Sequence, residues 1–220
     1  MVVSAIITAA GAGARFGGDV PKQFARMANG KRVVENAIAP FLQAGVGEII
    51  LTVPRGYENR VDVPKMVQLL PGGENRAESI RAALACVSDA AEIVLVHDGV
   101  RPLVCVSLIT AVIAAARVHG AAVPGLPLAE TIKEVDAAGR VVATPARARY
   151  AAVQTPQGFQ RGVIVAAYAS ADSLAGYTDD ASLVEAMGGA VFIVPGQRRN
   201  IKITTADDLH IANAWMEAQE

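Results

Sequence analysis

Hydrophobic positions along the chain alternate between two periods. Val2 to Thr8 is a continuous apolar, β-branched run bounded by small residues and glycines, the pattern of a strand buried on both faces. Val33, Val34, Ala37, Ile38, Phe41 and Leu42 then recur at helical spacing, and Gly45 closes the pattern. Glu48–Val53 reads as a second strand stopped by Pro54, and Val67–Leu70 as a third that runs into Pro71-Gly72-Gly73. Ile80, Ala83, Leu84 and Val87 mark one helical face, Glu92–His97 a buried strand, and Leu108, Ile109, Val112, Ile113 and Ala116 another helix ending near Gly120. Strand and helix in this rhythm predict an α/β fold, a parallel sheet with helices on both faces.

The rhythm breaks after Ala121-Ala122-Val123-Pro124. Glu130–Val135 and Arg140–Ala143, around Asp136-Ala137-Ala138-Gly139, read as a β-hairpin, so residues 125–153 form an arm leaving the main sheet. An isolated hairpin is marginal in water, and a second copy of the chain is the economical surface for it. Two helical stretches follow in 160–187, with Thr178-Asp179-Asp180 as an N-terminal cap. Val191–Val194 and Ile201–Ile203 read as strands. Thr205 and Asp208 form a capping-box start to a last helix, with Ile211, Ala214, Trp215 and Ala218 on one face and Trp215 as a core or interface anchor. No linker or repeat divides the 220 residues, so a single domain over 1–220 is expected.

Composition narrows the class. Apolar residues make up 52 %, charged residues 19 %, and the net charge is −1, which fits an ordinary globular enzyme and argues against a nucleic-acid partner. No apolar run is long enough to cross a membrane, and Val2–Ala10 lacks the basic start of a signal peptide, which points to the cytoplasm. Cys86 and Cys105 have no metal-ligand spacing and read as reduced thiols, and the three histidines are scattered.

Chemistry concentrates at strand ends. Ala9-Ala10-Gly11-Ala12-Gly13-Ala14-Arg15 follows the first strand, and Pro21-Lys22-Gln23 comes shortly after. Small residues let backbone N–H groups approach an anion, and Arg15 and Lys22 stand where a triphosphate would lie. The loop lacks both the GxGxxG with a later acidic residue of a dinucleotide site and the GKS or GKT of a Walker loop. Gly72-Gly73-Glu74, with Ser79, offers backbone groups and a hydroxyl able to read a base edge. Asp98, at the end of the fourth strand, can hold a ribose hydroxyl or a hard cation such as Mg²⁺, or can pair with Arg101. Thr155-Pro156-Gln157 and Asn200-Ile201-Lys202 complete the set. It holds cations, a carboxylate and backbone donors but no Ser–His or Cys–His arrangement, which suits nucleotidyl transfer.

In this order the motifs resemble the sugar-nucleotide cytidylyltransferases of the non-mevalonate isoprenoid pathway, and most closely the 2-C-methyl-D-erythritol 4-phosphate cytidylyltransferase family. The resemblance runs the length of the chain. It also includes Arg76 within the Gly72-Gly73 motif, His97 before Asp98, and Thr178-Asp179-Asp180-Ala181-Ser182. Two positions depart from the family pattern: Gly99 stands where alanine is expected, and Thr8 where proline is.

The resemblance implies a Rossmann-like doubly wound, mostly parallel sheet, CTP as substrate with Mg²⁺ or another divalent cation held mostly by its phosphates and Asp98 as a candidate ligand, pyrophosphate release, and a homodimer built by the arm. It implies that Arg15 and Lys22 stabilise charge on the α-phosphate. The backbone at Ala9, Ala10, Gly11, Gly13, Gly73 and Glu74, with Ser79, would bind the nucleotide. Asp98, Arg101 and Thr155 would line the ribose and polyol pocket, while Arg147 and Thr131, on or beside the arm, would reach the partner's active site and with Lys202 grip the substrate phosphate. Counting back from Thr155 selects Arg147 over Arg149. A ribitol 5-phosphate cytidylyltransferase, a hexose-phosphate nucleotidyltransferase using another triphosphate and a non-catalytic nucleotide-binding module remain as rivals at this point.

Overall fold

The structure is a computed structural model and describes residues 2–11, 16, 20–171 and 173–218. Its main sheet is built from β1 (Val2–Thr8), β2 (Glu48–Val53), β3 (Val67–Pro71), β4 (Ala91–Asp98), β5 (Ala121–Pro127), β8 (Ala151–Val153), β9 (Gln157–Gln160) and β10 (Phe192–Pro195). A separate two-stranded ribbon pairs β6 (Glu134–Val135) with β7 (Val141–Ala143). The helices are α1 (Val33–Gln43), α2 (Arg76–Leu84), α3 (Val106–His119), α4 (Arg161–Ser170), α5 (Asp180–Ala186) and α6 (Ala206–Glu217).

Across the sheet the order is β10-β5-β9-β4-β1-β2-β3, with β8 pairing β5 off this path. The contacts of β1 with β2 and β4, of β2 with β3, and of β5 with β10 are parallel; β9 runs antiparallel to both β4 and β5. The predicted α/β sheet is therefore mixed, with β9 antiparallel between two parallel blocks and β8 antiparallel beside β5. Side-chain alternation divides the core into two layers. Ala5, Ile7, Ile49, Leu51, Ile93 and Leu95 face the layer with α1 and α3, while Ile6, Ile50, Val94 and Val96 face the one with α2, α4 and α5.

Because β2 lies on one side of β1 and β4 on the other, the chain reverses its winding direction between them. A crevice opens there at the carboxyl ends of the strands. The loops after β1, β3 and β4 all empty into it.

Four expectations need correction. Gly125–Pro127 and Ala151–Val153 pair within the main sheet, so the arm is the shorter stretch 128–150, and its ribbon begins only at Glu134. Ile201–Ile203 is not a strand; Ile203 N–H donates to the Val100 carbonyl at 2.8 Å and its side chain is buried against Val100. Helix α6 buries Ala212, with Leu209 and Met216 beside it, instead of the face holding Ile211 and Ala214, which are exposed. Trp215, half-buried on the same helix, is not among the residues of that cluster. The capping box at Thr205 and Asp208 forms as its spacing predicts.

Candidate active site

The crevice contains a cavity of about 300 Å³ walled by the ends of β1, β3 and β4. Ala9, Ala10 and Gly11 from the loop after β1, Gly73, Glu74 and Ser79 from the turn and helix after β3, and Lys22, Asp98 and Lys202 line it. Two close approaches shape it. Gln23, buried, donates to the carbonyls of Ala9 at 2.7 Å and Gly11 at 2.9 Å, tying the short helical turn Lys22–Phe24 under the loop and carrying Lys22 to the cavity. At Gly72 a Cβ would fall on the Ala10 side chain, so only glycine lets the two loops meet. Arg15 and Gly13, expected in the same loop, lie outside the described residues.

Several groups expected to face a nucleotide are engaged within the protein. Ala9 N–H donates to the Thr52 carbonyl at 2.9 Å, extending the β1–β2 ladder. Ser79 Oγ accepts from Gly73 N–H at 3.0 Å and donates to the Asn75 carbonyl at 2.9 Å, bracing the turn before α2. Asn75 in turn caps α2 by accepting from Glu78 N–H. Ser79 therefore shapes the base side of the cavity through the turn it holds.

Asp98 is the hub. It is buried, yet three cations converge on it: Arg76 Nε at 3.4 Å from Oδ1, and Arg101 Nε at 3.2 Å and Lys202 Nζ at 3.0 Å from Oδ2. Burial alone would raise its pKa; the charges of Arg76, Lys202 and Arg101 outweigh that and hold the carboxyl well below the ordinary carboxylate range. Behind Asp98 opens a second cleft of about 250 Å³, lined by Arg101, Gln154, Thr155, Gln157, Thr178 and Asp179. Arg76, Asp98 and Lys202 line both spaces, so the two meet at this ion cluster. The pairing of Asp98 with Arg101, which the sequence left as one option, is present together with exposure to both spaces.

Arg76 is the residue that sequence reasoning passed over. It was visible inside the Gly72-Gly73 motif, but nothing in its own position marked it as central. Its Nη2 lies 2.7 Å from Asp180 Oδ2, and Asp180, fully buried, also accepts from Tyr168 Oη at 2.7 Å. Gln157 fixes Asp180 in place by accepting from the N–H groups of Asp180 and Ala181, both at 3.1 Å, while donating to Asp179. The cap predicted at Thr178-Asp179-Asp180 thus anchors an ion pair as well as starting a helix.

Within one chain, Thr131 and Arg147 line neither cavity. Both are exposed on the arm, where Arg147 donates to the Ala129 carbonyl. The other expected site residues that the structure describes converge on the crevice.

A winding reversal with a glycine-lined cavity, a basic cluster and a second cleft sharing that cluster is the arrangement of a nucleotidyltransferase-type site. The comparisons with known proteins narrow this class. The sequence model of IspD, 2-C-methyl-D-erythritol 4-phosphate cytidylyltransferase, matches residues 3–218, and the chain belongs to this family. The 2-C-methyl-D-erythritol 4-phosphate cytidylyltransferase of Frankia casuarinae is 43 % identical over 217 residues, covering 97 % of this chain and 81 % of that protein. The crystal structure of the enzyme of that name from Thermus thermophilus is similar with a TM-score of 0.82 at 35 % identity, covering 99 % of this chain and 100 % of that one. The 4-diphosphocytidyl-2C-methyl-D-erythritol synthase of Anaerococcus prevotii superposes with a TM-score of 0.87 at 30 % identity, covering 98 % of both chains.

Proposed function

We propose that the chain transfers CMP from CTP to 2-C-methyl-D-erythritol 4-phosphate, forming 4-diphosphocytidyl-2-C-methyl-D-erythritol and pyrophosphate. The observation that carries this reading is the junction of two cavities at Asp98, Arg76 and Lys202 with Lys22 on the nucleotide side, in a chain that matches the family over nearly its whole length. An oxygen of the acceptor phosphate attacks the α-phosphorus of CTP. The bond to the bridging oxygen of the β-phosphate breaks, and pyrophosphate leaves with that electron pair. The nucleophile is already an anion, so no general base is required. Lys22 and Arg15 are assigned to the negative charge that grows on the pentacoordinate α-phosphate, where an oriented cation in a cleft acts most strongly.

Base recognition falls to the backbone of Ala10 and Glu74 and to the carbonyl of Gly73, because the N–H groups of Ala9 and Gly73 and the carbonyl of Ala9 are engaged elsewhere. Asp98 is assigned to the ribose hydroxyls, Arg101 and Thr155 to the acceptor, and Lys202 to its phosphate. A divalent cation finds no cradle of protein ligands among the described residues. They contain no group of three His, Cys, Asp or Glu side chains suited to a metal, and both Asp98 oxygens already face cations. We therefore assign Mg²⁺ to the triphosphate as part of the CTP substrate, and Asp98 to organic ligands alone.

The arm is assigned to a homodimer. Val135, Val141, Val142 and Tyr150 are all more than half exposed, which is an apolar surface without a partner inside the chain. In that dimer Thr131 and Arg147 reach the acceptor phosphate in the partner's cleft. Among the described residues no helix is long and apolar enough to cross a membrane, and with CTP as substrate we assign the reaction to the cytoplasm.

Pyrophosphate release tests the reading. CTP with 2-C-methyl-D-erythritol 4-phosphate is the expected productive pair. Equal turnover with UTP would remove the cytosine assignment, and a preference for ribitol 5-phosphate would reassign the acceptor.

A further inference from the structure

A buried chain of hydrogen bonds behind Asp98 determines which way Thr155 directs its proton. His97 is fully buried, its ring 5.0 Å from that of Phe41. Its Nε2 lies 3.3 Å from the Arg101 carbonyl oxygen, which can only accept, so Nε2 carries the ring proton. Its Nδ1 lies 2.9 Å from Thr155 Oγ1. Burial disfavours the imidazolium more strongly than the neighbouring Asp98 favours it, and Arg101 opposes it further; the ring is neutral, its pKa pushed down to about 3. A neutral ring protonated at Nε2 presents a lone pair at Nδ1, so the Thr155 hydroxyl donates to it.

Thr155 Oγ1 also accepts from Asp98 N–H at 3.0 Å. A hydroxyl has one hydrogen and two lone pairs. The hydrogen and one lone pair are committed inside the protein, and Thr155 is among the residues that line the second cleft, so the second lone pair is all its hydroxyl has to offer a ligand there.

We infer that His97 is a positioning residue that makes Thr155 an acceptor-only contact in the second cleft, so that the ligand group seated there must be a hydroxyl donating its proton. The inference rests on the reading of that cleft as the polyol-phosphate site. It has a consequence for orientation. Phosphate oxygens only accept, so Thr155 refuses the phosphate and takes a carbon-bound hydroxyl, and the phosphate is left to Lys202 with Thr131 and Arg147 of the partner subunit. One side chain that touches no ligand thereby selects which end of the acceptor enters first.

Two measurements test this. The first needs no activity: ¹⁵N spectra of the ligand-free protein labelled at histidine. His97 should show a protonated Nε2 and a bare, hydrogen-bonded Nδ1; the opposite tautomer or a doubly protonated ring overturns the inference. The second measures pyrophosphate release with acceptor analogues in which one hydroxyl at a time is replaced by fluorine, which accepts weakly and cannot donate. One analogue should raise KM about tenfold or more with little change in kcat, the effect of an unpaired polar group in a closed site. His97→Phe frees the Thr155 proton and should shrink that discrimination severalfold. His97→Asn, which keeps an acceptor near the Nδ1 position, should retain it and guards against a folding defect in the first variant. Equal tolerance of every fluorinated acceptor, or discrimination unchanged in both variants, overturns the role. Absence of turnover with any polyol phosphate would remove the reading of the cleft and the ligand half of the inference, while the spectra would still report the tautomer.

Discussion

The crevice and the arm are built on opposite principles. Around Asp98 the polar and charged side chains are paired inside the chain: Asp98 with three cations, Asp180 with Arg76 and Tyr168, His97 with Thr155 and the Arg101 carbonyl. On the arm, the strand residues of β6 and β7 are all exposed, and what holds them is the ribbon itself, a turn in which Asp136 accepts from Arg140 and Ala138, and Lys133 reaching Thr144. Yet the expected functional residues are divided between the two. A site preorganised by internal pairing needs nothing from outside to hold its shape. A ribbon that buries nothing holds a fixed position only against something else.

Activity is where the contrast should be greatest. Lys22→Ala should lower kcat by about 10²-fold or more with the fold intact, the loss of roughly 3 kcal/mol from one oriented charge at the transition state. Steady-state pyrophosphate release and a circular dichroism spectrum check it; near-normal turnover would remove Lys22 from the chemistry. Arg147→Ala chains mixed with Lys22→Ala chains should regain roughly a quarter to half of the sites if arms act in trans once subunits exchange. Failure of the exchanged mixture to regain activity would place the arm in cis.

Stability separates the regions next. Asp180→Ala removes one partner of a buried pair, strands the Tyr168 hydroxyl and leaves Arg76 without its main anchor. Removing one partner of a buried pair costs about 3–5 kcal/mol, and the partial exposure of Arg76 places this one near the lower end. Denaturant unfolding reads it directly, and a loss below about 1 kcal/mol would mean that the pair contributes little.

The crevice should also be acid-sensitive. His97 has a folded pKa of about 3 against an ordinary 6.5, so between those values the unfolded state binds the extra proton and stability rises with pH. Acidification from about pH 6.5 should therefore remove up to ~1.4 kcal/mol per pH unit, and the lowered pKa of Asp98 adds a further loss below about pH 4. In His97→Asn the slope above pH 4 should flatten. An unchanged slope would place the acid sensitivity in other groups.

The same contrast explains what the sequence disclosed. Strand and helix positions in the core were legible because each apolar run is buried on whichever face it presents, as Ile49 and Leu51 are on one side of β2 and Ile50 on the other. The site loops were legible because glycines and cations fall at strand ends. Arg76 stayed hidden because its partners, Asp98 and Asp180, lie 22 and 104 residues away, and spacing carries no record of such a meeting. Helix α6 was misread for a related reason. It packs on a small cluster of Met27, Val33, Val100 and Ile203, which needs only a narrow contact centred on Ala212, so the more apolar-looking face holding Ile211 is left outward. Ile201–Ile203 carries strand composition, but it is fixed by one backbone bond to Val100 and has no ladder.

The smallest expected effect bears most directly on the arm. Val142 is 54 % exposed in β7, so replacing it with Ser removes little buried surface from the chain. Unfolding of the isolated chain at high dilution should shift by no more than about 0.5 kcal/mol, as for an ordinary surface change. If the arm lies against a second copy, the same methyl groups are buried there, and their loss weakens association by about 1 kcal/mol per chain, felt twice in a twofold interface. Sedimentation equilibrium of wild type and Val142→Ser over a concentration series separates the cases. A weaker dimer with an unchanged chain supports the arm as an interface. Equal association in both proteins would leave Val142 solvent-exposed in the assembly and move the interface away from β7. Loss of chain stability without any change in association would instead show that the ribbon packs on its own subunit, and the contrast between a self-sufficient crevice and a dependent arm would fall.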